Sequence, residues 1–567
     1  MMNRSVRRTA LCVLTLALGT LLWAGAAFAE VRLPNIFGDG MILQRDMAVP
    51  VWGWATAGEK VTVSFGGQEK SATADASGKW MVRLDAMPAS RSPQEMTVAG
   101  RNTLTLKDAL VGEVWLCGGQ SNMEMAVRGC FNFEAESAAA TNSAIRQIKV
   151  GLSCAAAPKD DLDASTGKWT VCSPETVGRF TAAGYFFARE IAKELDVPVG
   201  LINDNWGGTR IEPWTPPEGF RLEASVPQIG EISRTVDSWN PATEIGREAL
   251  RQYLAKLKEW IPAAEAALAA EQMPPPAPKS PGPDLVNSTP TVLFNAMIAP
   301  VVPYAIRGAL WYQGESNGDE GVTYLHKMKA LIGSWRRLWG EGDFPFYYVQ
   351  LAAWQRSDPD KPAGGDGWAR LREAQLQALA IPNTGMSVTI DIGDAADNIH
   401  PKNKQDVGRR LALWALARTY GKNIEFSGPL YKSHVIEGDK VRIVFDHAAG
   451  GLIAGEKNGL APVKEVMDGK LKWFAIAGQD KVWHWADAVI DGQTVLVSSS
   501  KVPEPVAVRY AFAMNPEGPN GDRQYDAVSS SKVPAPVVLR YELMNPEGAN
   551  LYNKEGLPAS PFRTDDW

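Results

Sequence analysis

Three short segments of this chain carry residue types that can do chemistry together. Gly118-Gly119-Gln120-Ser121-Asn122-Met123 sets a serine directly after an apolar strand pattern, EVWLCGG at 113–119. A serine there has little steric cover, and the backbone N–H groups of the next turn point toward any anion formed beside it. As a lone feature, Ser121 reads equally well as the N-cap of a helix. The second segment is Asp397-Asn398-Ile399-His400-Pro401. Of the five histidines, only His400 follows a strand of the α/β region in a loop with a carboxylate three residues earlier. That carboxylate can orient the imidazole, which takes the serine proton as general base and returns it to the leaving alcohol. Without Ser121 nearby, the pair would be a solvated surface loop. The third group supplies oxyanion donors. Gly207 and Gly208 let a backbone N–H approach a substrate closely. Gln313 can offer a side-chain amide, and Ser121 its own N–H. One such donor lowers a barrier by roughly 3 kcal/mol.

These segments need a frame that brings them to one edge. Residues 30–108 read as short strands between Gly, Ser and Asp turns, a small β-sandwich. From 109 strands alternate with helices. Strand patterns lie at 113–119, 197–206, 305–314, 343–352 and 385–393. Helical spacing joins Phe180, Ala183, Phe187, Ile191 and Leu195, and again Tyr324, Met328, Leu331, Trp335 and Leu338. A closing helix is expected over 404–419. Such alternation implies a doubly wound parallel α/β sheet, whose ligands bind at the C-terminal strand ends. The three segments all follow predicted strands at that edge.

The expected organisation has six parts. Residues 1–29 are a cleavable signal, with Arg4, Arg7 and Arg8 before an apolar run and Ala27-Phe28-Ala29 before the cut. Residues 30–108 form the β-sandwich, and 109–215 the first part of a catalytic domain. A helical and Pro-rich insertion, 216–290, interrupts that domain, which resumes at 291–420. A β region, 421–567, closes the chain and contains a duplication, 497–520 and 528–550. The signal implies a periplasmic or secreted protein. The formal net charge is −6 without a long basic run, so neither nucleic acid nor a membrane is expected as a partner. Cys117, Cys130, Cys154 and Cys172 allow one or two disulfides in an oxidising compartment. Their spacing does not resemble a zinc site.

The blocks "GQSNM", "WGGTRIEPW", "WYQGESN" and "DNIHPKNKQDVGRRLAL" together resemble those of the SGNH hydrolase superfamily, and within it the sialate O-acetylesterase-like carbohydrate esterases. The terminal "NPEGANLYNKEGLPASPFRTD" resembles that family's C-terminal segment. The resemblance implies a flavodoxin-like sheet flanked by β domains. It also implies a serine mechanism with no metal or cofactor, acting on acetylated carbohydrate. Carried over by position, Ser121 is the nucleophile, His400 the base and Asp397 its orienter, with Asp394 and Asp391 as alternatives. Gly207 or Gly208, with Gln313, would build the oxyanion hole. Arg210 could hold a substrate carboxylate or close an internal salt bridge. Trp206, Trp214 and Trp311 could stack on a sugar, and Glu315 is a substrate-binding candidate. Arg372 and Gln375 are expected as supports behind the site. Two other functions compete: the same machinery on a non-carbohydrate ester, and a carbohydrate-binding protein without turnover.

Overall fold

A computed structural model describes residues 30–355, 358, 360–393, 398–467, 469–516 and 548–567. The expected signal, Asp394, Asp397 and most of the second repeat copy lie outside the described residues.

The N-terminal part contains β1 (Ile42–Gln44), β2 (Val49–Trp54), β3 (Lys60–Phe65), β4 (Gln68–Thr73), β5 (Lys79–Leu84) and β6 (Ser90–Ala99). In β3 the period of two buries Val61, Val63 and Phe65 on one face. β2 pairs antiparallel with β5, and β3 with β4 and β6.

Next comes β7 (Thr103–Gly119), a single 17-residue strand. Its first half pairs antiparallel with β6 and leaves every other residue exposed. Its second half is buried throughout and pairs in parallel with two neighbours. The expected boundary at 108/109 therefore falls inside a strand. Asp108 sits there with φ 57°, and the β6–β7 register shifts beside it. This is the signature of a bulge, which redirects the strand from one layer into the next. Arg146 caps the bend by pairing with the Asp108 carboxylate at 2.9 Å.

The central sheet adds β8 (Ile145–Lys149), β9 (Thr170–Val171), β10 (Val199–Asn205), β11 (Gly308–Tyr312), β12 (Phe346–Val349) and β13 (Thr384–Ser387). Its order is β13-β12-β11-β7-β10-β8-β9, parallel except for β9. β8 and β9 escape the sequence pattern, because β8 buries Arg146 and Gln147 among its apolar residues.

Both faces are covered. Trp115, Cys117, Leu201 and Tyr312 pack with helix Ala182–Leu195 and helix Lys404–Trp414. Gly408 lets these helices touch, since a Cβ there would lie 2.6 Å from Phe187 N. Leu116, Ile202 and Trp311 face the other way, against helix Thr323–Trp339. Leu338, expected on the inner stripe of that helix, is 38% exposed, and Trp339 is buried in its place.

The insertion holds helices Pro227–Ser238 and Glu244–Ala269, the latter burying only Gly246. Antiparallel sheets with their own core follow from residue 430. In the first repeat copy, Ala507–Tyr510 pairs with Phe474–Ala477 and with Phe562–Arg563. The four described cysteines are free thiols, so the possible disulfides do not form. Burial pushes Cys130 and Cys172 up to about 11.

Candidate active site

Gly119, Asn205 and Tyr312 end β7, β10 and β11 in one row of the sheet, each paired across to Gly119. The loops carrying Ser121, Gly207 and Gln313 thus leave the sheet side by side. Gly119 adopts φ 132°, and a Cβ there would meet Tyr312 O at 2.2 Å. Only glycine fits this exit. The chain then enters a four-residue helical turn, Ser121–Glu124.

The loop beyond β13 returns to this edge and brings His400 Nε2 to 2.8 Å from Ser121 Oγ. The imidazole is held below its ordinary value by burial, and further by the positive charge of Lys404. It is therefore neutral, and able to accept a proton, at pH 7. Asp391, one of the alternative acids, instead forms a two-pronged pair with Arg410 at 2.7 Å per arm. Its two oxygens are taken, so it is not the orienter. Among the described residues no carboxylate bonds to His400, while Asp397 and Asp394 lie outside them.

A buried network that sequence reasoning missed holds the serine loop to the histidine loop. Asn122 donates its amide to Glu315 Oε1 at 2.6 Å and to the Ile399 carbonyl at 3.0 Å. Its Oδ1 accepts from Lys404 Nζ at 2.6 Å. Lys404 also reaches the Pro401 carbonyl and lies 5.0 Å from the Tyr312 ring centroid. An amide thus bridges a buried cation and a buried carboxyl. The signal was available, since Asn122 adjoins Ser121 and Lys404 stands one helical turn after His400.

Several expected substrate contacts are structural instead. Trp311 is 1% exposed and meets Trp214 and Trp335 edge-on, so it belongs to the core. Trp214 is buried with it, and Trp206 keeps partial exposure beside the Gly-Gly turn. The Glu315 carboxyl is raised by burial and faces Asn122, with Oε2 enclosed and unpaired among the described residues. It braces the loop rather than meeting solvent. Arg210 pairs with Glu320 and, at 3.4 Å, with Glu212, so the internal salt bridge is what forms.

Gln313 is fully buried, and its Nε2 has acceptors in Gln120, Thr209 and Asn317. Its amide protons are spent within the protein, so it is not aimed at an oxyanion as expected. Gly207 N–H is likewise given to Glu124 at 2.7 Å. A Cβ on Gly207 would lie 3.3 Å from Ser121 Cβ, so the turn abuts the serine. Gly208 is exposed with φ 74°, and its N–H has no acceptor among the described residues. Gln375 donates to the Val349 carbonyl at the end of β12 and accepts from Leu351 N–H. Arg372 ties Leu351 and Ala352 to Ala513 and Met514. Both support the scaffold behind the site. Among the described residues no group of His, Cys, Asp and Glu is arranged to hold a metal ion.

Comparison with known proteins shows the family. The family model for carbohydrate esterase, sialic acid-specific acetylesterase, matches residues 111–274 and 288–417. The interruption coincides with the Pro-rich run. Sialate O-acetylesterase of Homo sapiens is 31% identical over 499 residues, 82% of this chain and 85% of that protein. The Rattus norvegicus sialate O-acetylesterase is 31% identical over 444 residues, 72% of this chain and 77% of that protein. The crystal structure of a carbohydrate acetylesterase from Xanthomonas citri aligns with a TM-score of 0.70 at 34% identity, over 95% of this chain and 100% of that one.

Proposed function

Because the chain belongs to the sialic acid-specific acetylesterase family of carbohydrate esterases, we propose that it removes O-acetyl groups from carbohydrate through an acyl-enzyme on Ser121. The observation that carries this is the 2.8 Å contact between Ser121 Oγ and His400 Nε2. His400 accepts the serine proton as Oγ attacks the acetyl carbonyl. The same proton then passes to the sugar alkoxide as it leaves. Water, deprotonated by His400, next attacks the acyl-enzyme and frees acetate. We assign Asp397 as the group that orients the imidazole, supported by its place three residues before His400. The oxyanion donors are the Ser121 N–H and the Gly208 N–H. Trp206, half-buried at the rim, is the sugar-facing aromatic. No step uses a metal or cofactor.

The fold that fits this chemistry is the SGNH-type, flavodoxin-like doubly wound sheet with β domains before and after it. We assign the protein to the periplasm or the exterior, on the basic and apolar leader at 1–29. No helix among the described residues is long and apolar enough to cross a membrane.

The test is acetate release from acetylated xylan, acetylated xyloglucan and O-acetyl sialic acid, by the wild type and Ser121→Ala. The wild type releases acetate from at least one substrate, and Ser121→Ala loses about 10³-fold or more. Equal rates for the two proteins would refute the nucleophile. Hydrolysis of p-nitrophenyl acetate alone, with every carbohydrate inert, would favour a non-carbohydrate ester. Binding without turnover on any ester would favour the non-catalytic reading.

A further inference from the structure

A cavity of about 370 Å³ opens on the N-terminal β layer and shares no residue with the site described above. It lies between the β2–β5 pair and two segments of the α/β part, around Lys159 and around Pro300. Its volume falls in the roughly 300–1,000 Å³ range of small-ligand sites. Three tryptophans line it: Trp52, Trp54 and Trp80.

The rings are held in place from outside. Arg32 lies 3.6 Å over Trp54, and Phe37 meets Trp52 edge-on at 4.8 Å. A rigid aromatic wall of this kind loses little entropy when a ligand docks. Trp80 is 3% and Trp52 8% exposed, so the accessible indole surface is chiefly that of Trp54.

The polar lining is balanced. Asp75 and Asp160 oppose Lys79 and Lys159, and Lys79 pairs with Asp160 at 2.6 Å. Such a site offers acceptors and donors at its mouth and no net charge. A neutral pyranose matches it: an apolar C–H face for the indole surface, and hydroxyls for the charged groups at the mouth. An anionic sugar would gain no net attraction there.

We propose that this cavity is a second saccharide-binding site, taking a neutral sugar unit of a glycan. The choice of ligand class rests on the carbohydrate reading above; the cavity itself does not.

Affinity gel electrophoresis of the full chain tests it, with Ser121→Ala as the parent so that nothing is consumed. The gels contain deacetylated xylan, galactomannan or hydroxyethylcellulose, and sialyllactose competes in solution as the anionic control. The parent is expected to be retarded by at least one neutral polymer, and not released by sialyllactose. Adding Trp54→Ala or Asp160→Ala is expected to weaken retardation at least fivefold. In the Ser121 background the same two substitutions should leave p-nitrophenyl acetate hydrolysis within twofold of wild type, which also reports folding. Retardation by none of the polymers overturns the proposal, as does retardation that neither substitution reduces. Because the readout is binding of deacetylated polymer, it is separate from acetate release: esterase activity without retardation refutes this site alone. No acetate release by the wild type, with retardation intact, refutes the catalytic reading alone.

Discussion

Asp391 and Arg410 face each other through two 2.7 Å hydrogen bonds, with the carboxylate 1% and the guanidinium 5% exposed. This pair removes from contention an acid that stands nine residues before His400. It also divides the roles of two aspartates in a measurable way. Asp391→Asn should leave the Arg410 charge buried without its counter-ion and cost about 3–5 kcal/mol of stability. Asp397→Asn should leave stability within about 0.5 kcal/mol but lower kcat by about 10²–10⁴-fold. Denaturant melts and steady-state kinetics on both variants decide it. The reverse pattern would make Asp391 the orienter.

Asn122 links the serine loop to the histidine loop. Removing its amide in Asn122→Ala takes one acceptor from Lys404 Nζ and the donor from Glu315 Oε1 and the Ile399 carbonyl. We expect a loss of about 1–3 kcal/mol in unfolding free energy. A fall in kcat should accompany it, because His400 directly follows Ile399. A stable variant with wild-type kcat would show that the network does not position the base.

With His400 as the proposed base, catalysis requires it neutral. Burial and Lys404 both disfavour its protonated form, so the folded pKa lies below the ordinary 6.5. The neutral fraction then survives to lower pH than for a free histidine. kcat/KM on p-nitrophenyl acetate should hold steady from pH 7 down past 6.5 and fall only below it. Lys404→Met removes one of the two causes, and its acid limb should move up toward 6.5. A wild-type limb above 6.5 would contradict the assignment.

Gly119 is confined both by its φ of 132° and by the Tyr312 carbonyl, which would lie 2.2 Å from a Cβ. Gly119→Ala must push β7 away from β11 at the point where the serine loop begins. Stability should fall by more than about 2 kcal/mol. Activity should fall by about 10²-fold, since a shift near 1 Å is enough to misalign a nucleophile. Wild-type kinetics in this variant would mean that the exit geometry does not set the position of Ser121.

Much of this protein was legible from its residues alone. Apolar runs at 113–119, 197–206, 305–314 and 343–352 announced parallel strands, because a strand buried on both faces must be apolar throughout. The periodicity of 323–339 marked a helix of the same bounds. Gly207 and Gly208 read from sequence as a close-approach turn, and Gly208 adopts φ 74°. The change near 108 to strands alternating with helices was also visible. That it falls within one continuous strand, beside Asp108 at φ 57°, was not.

Tertiary structure alone decided which polar groups are spent and which face solvent. Gln313, Trp311 and Glu315 look like substrate contacts in sequence because amide, indole and carboxylate are what such contacts use. Their partners come from positions as distant as Gln120, Trp214 and Asn122. Local periodicity reports burial against a residue's own element, and it carries no information about which remote donor or acceptor arrives. The 2.8 Å approach of His400 to Ser121 spans 279 positions for the same reason. Residue types nominate a chemistry, and the packing of remote loops on one sheet edge assigns each group its part in it.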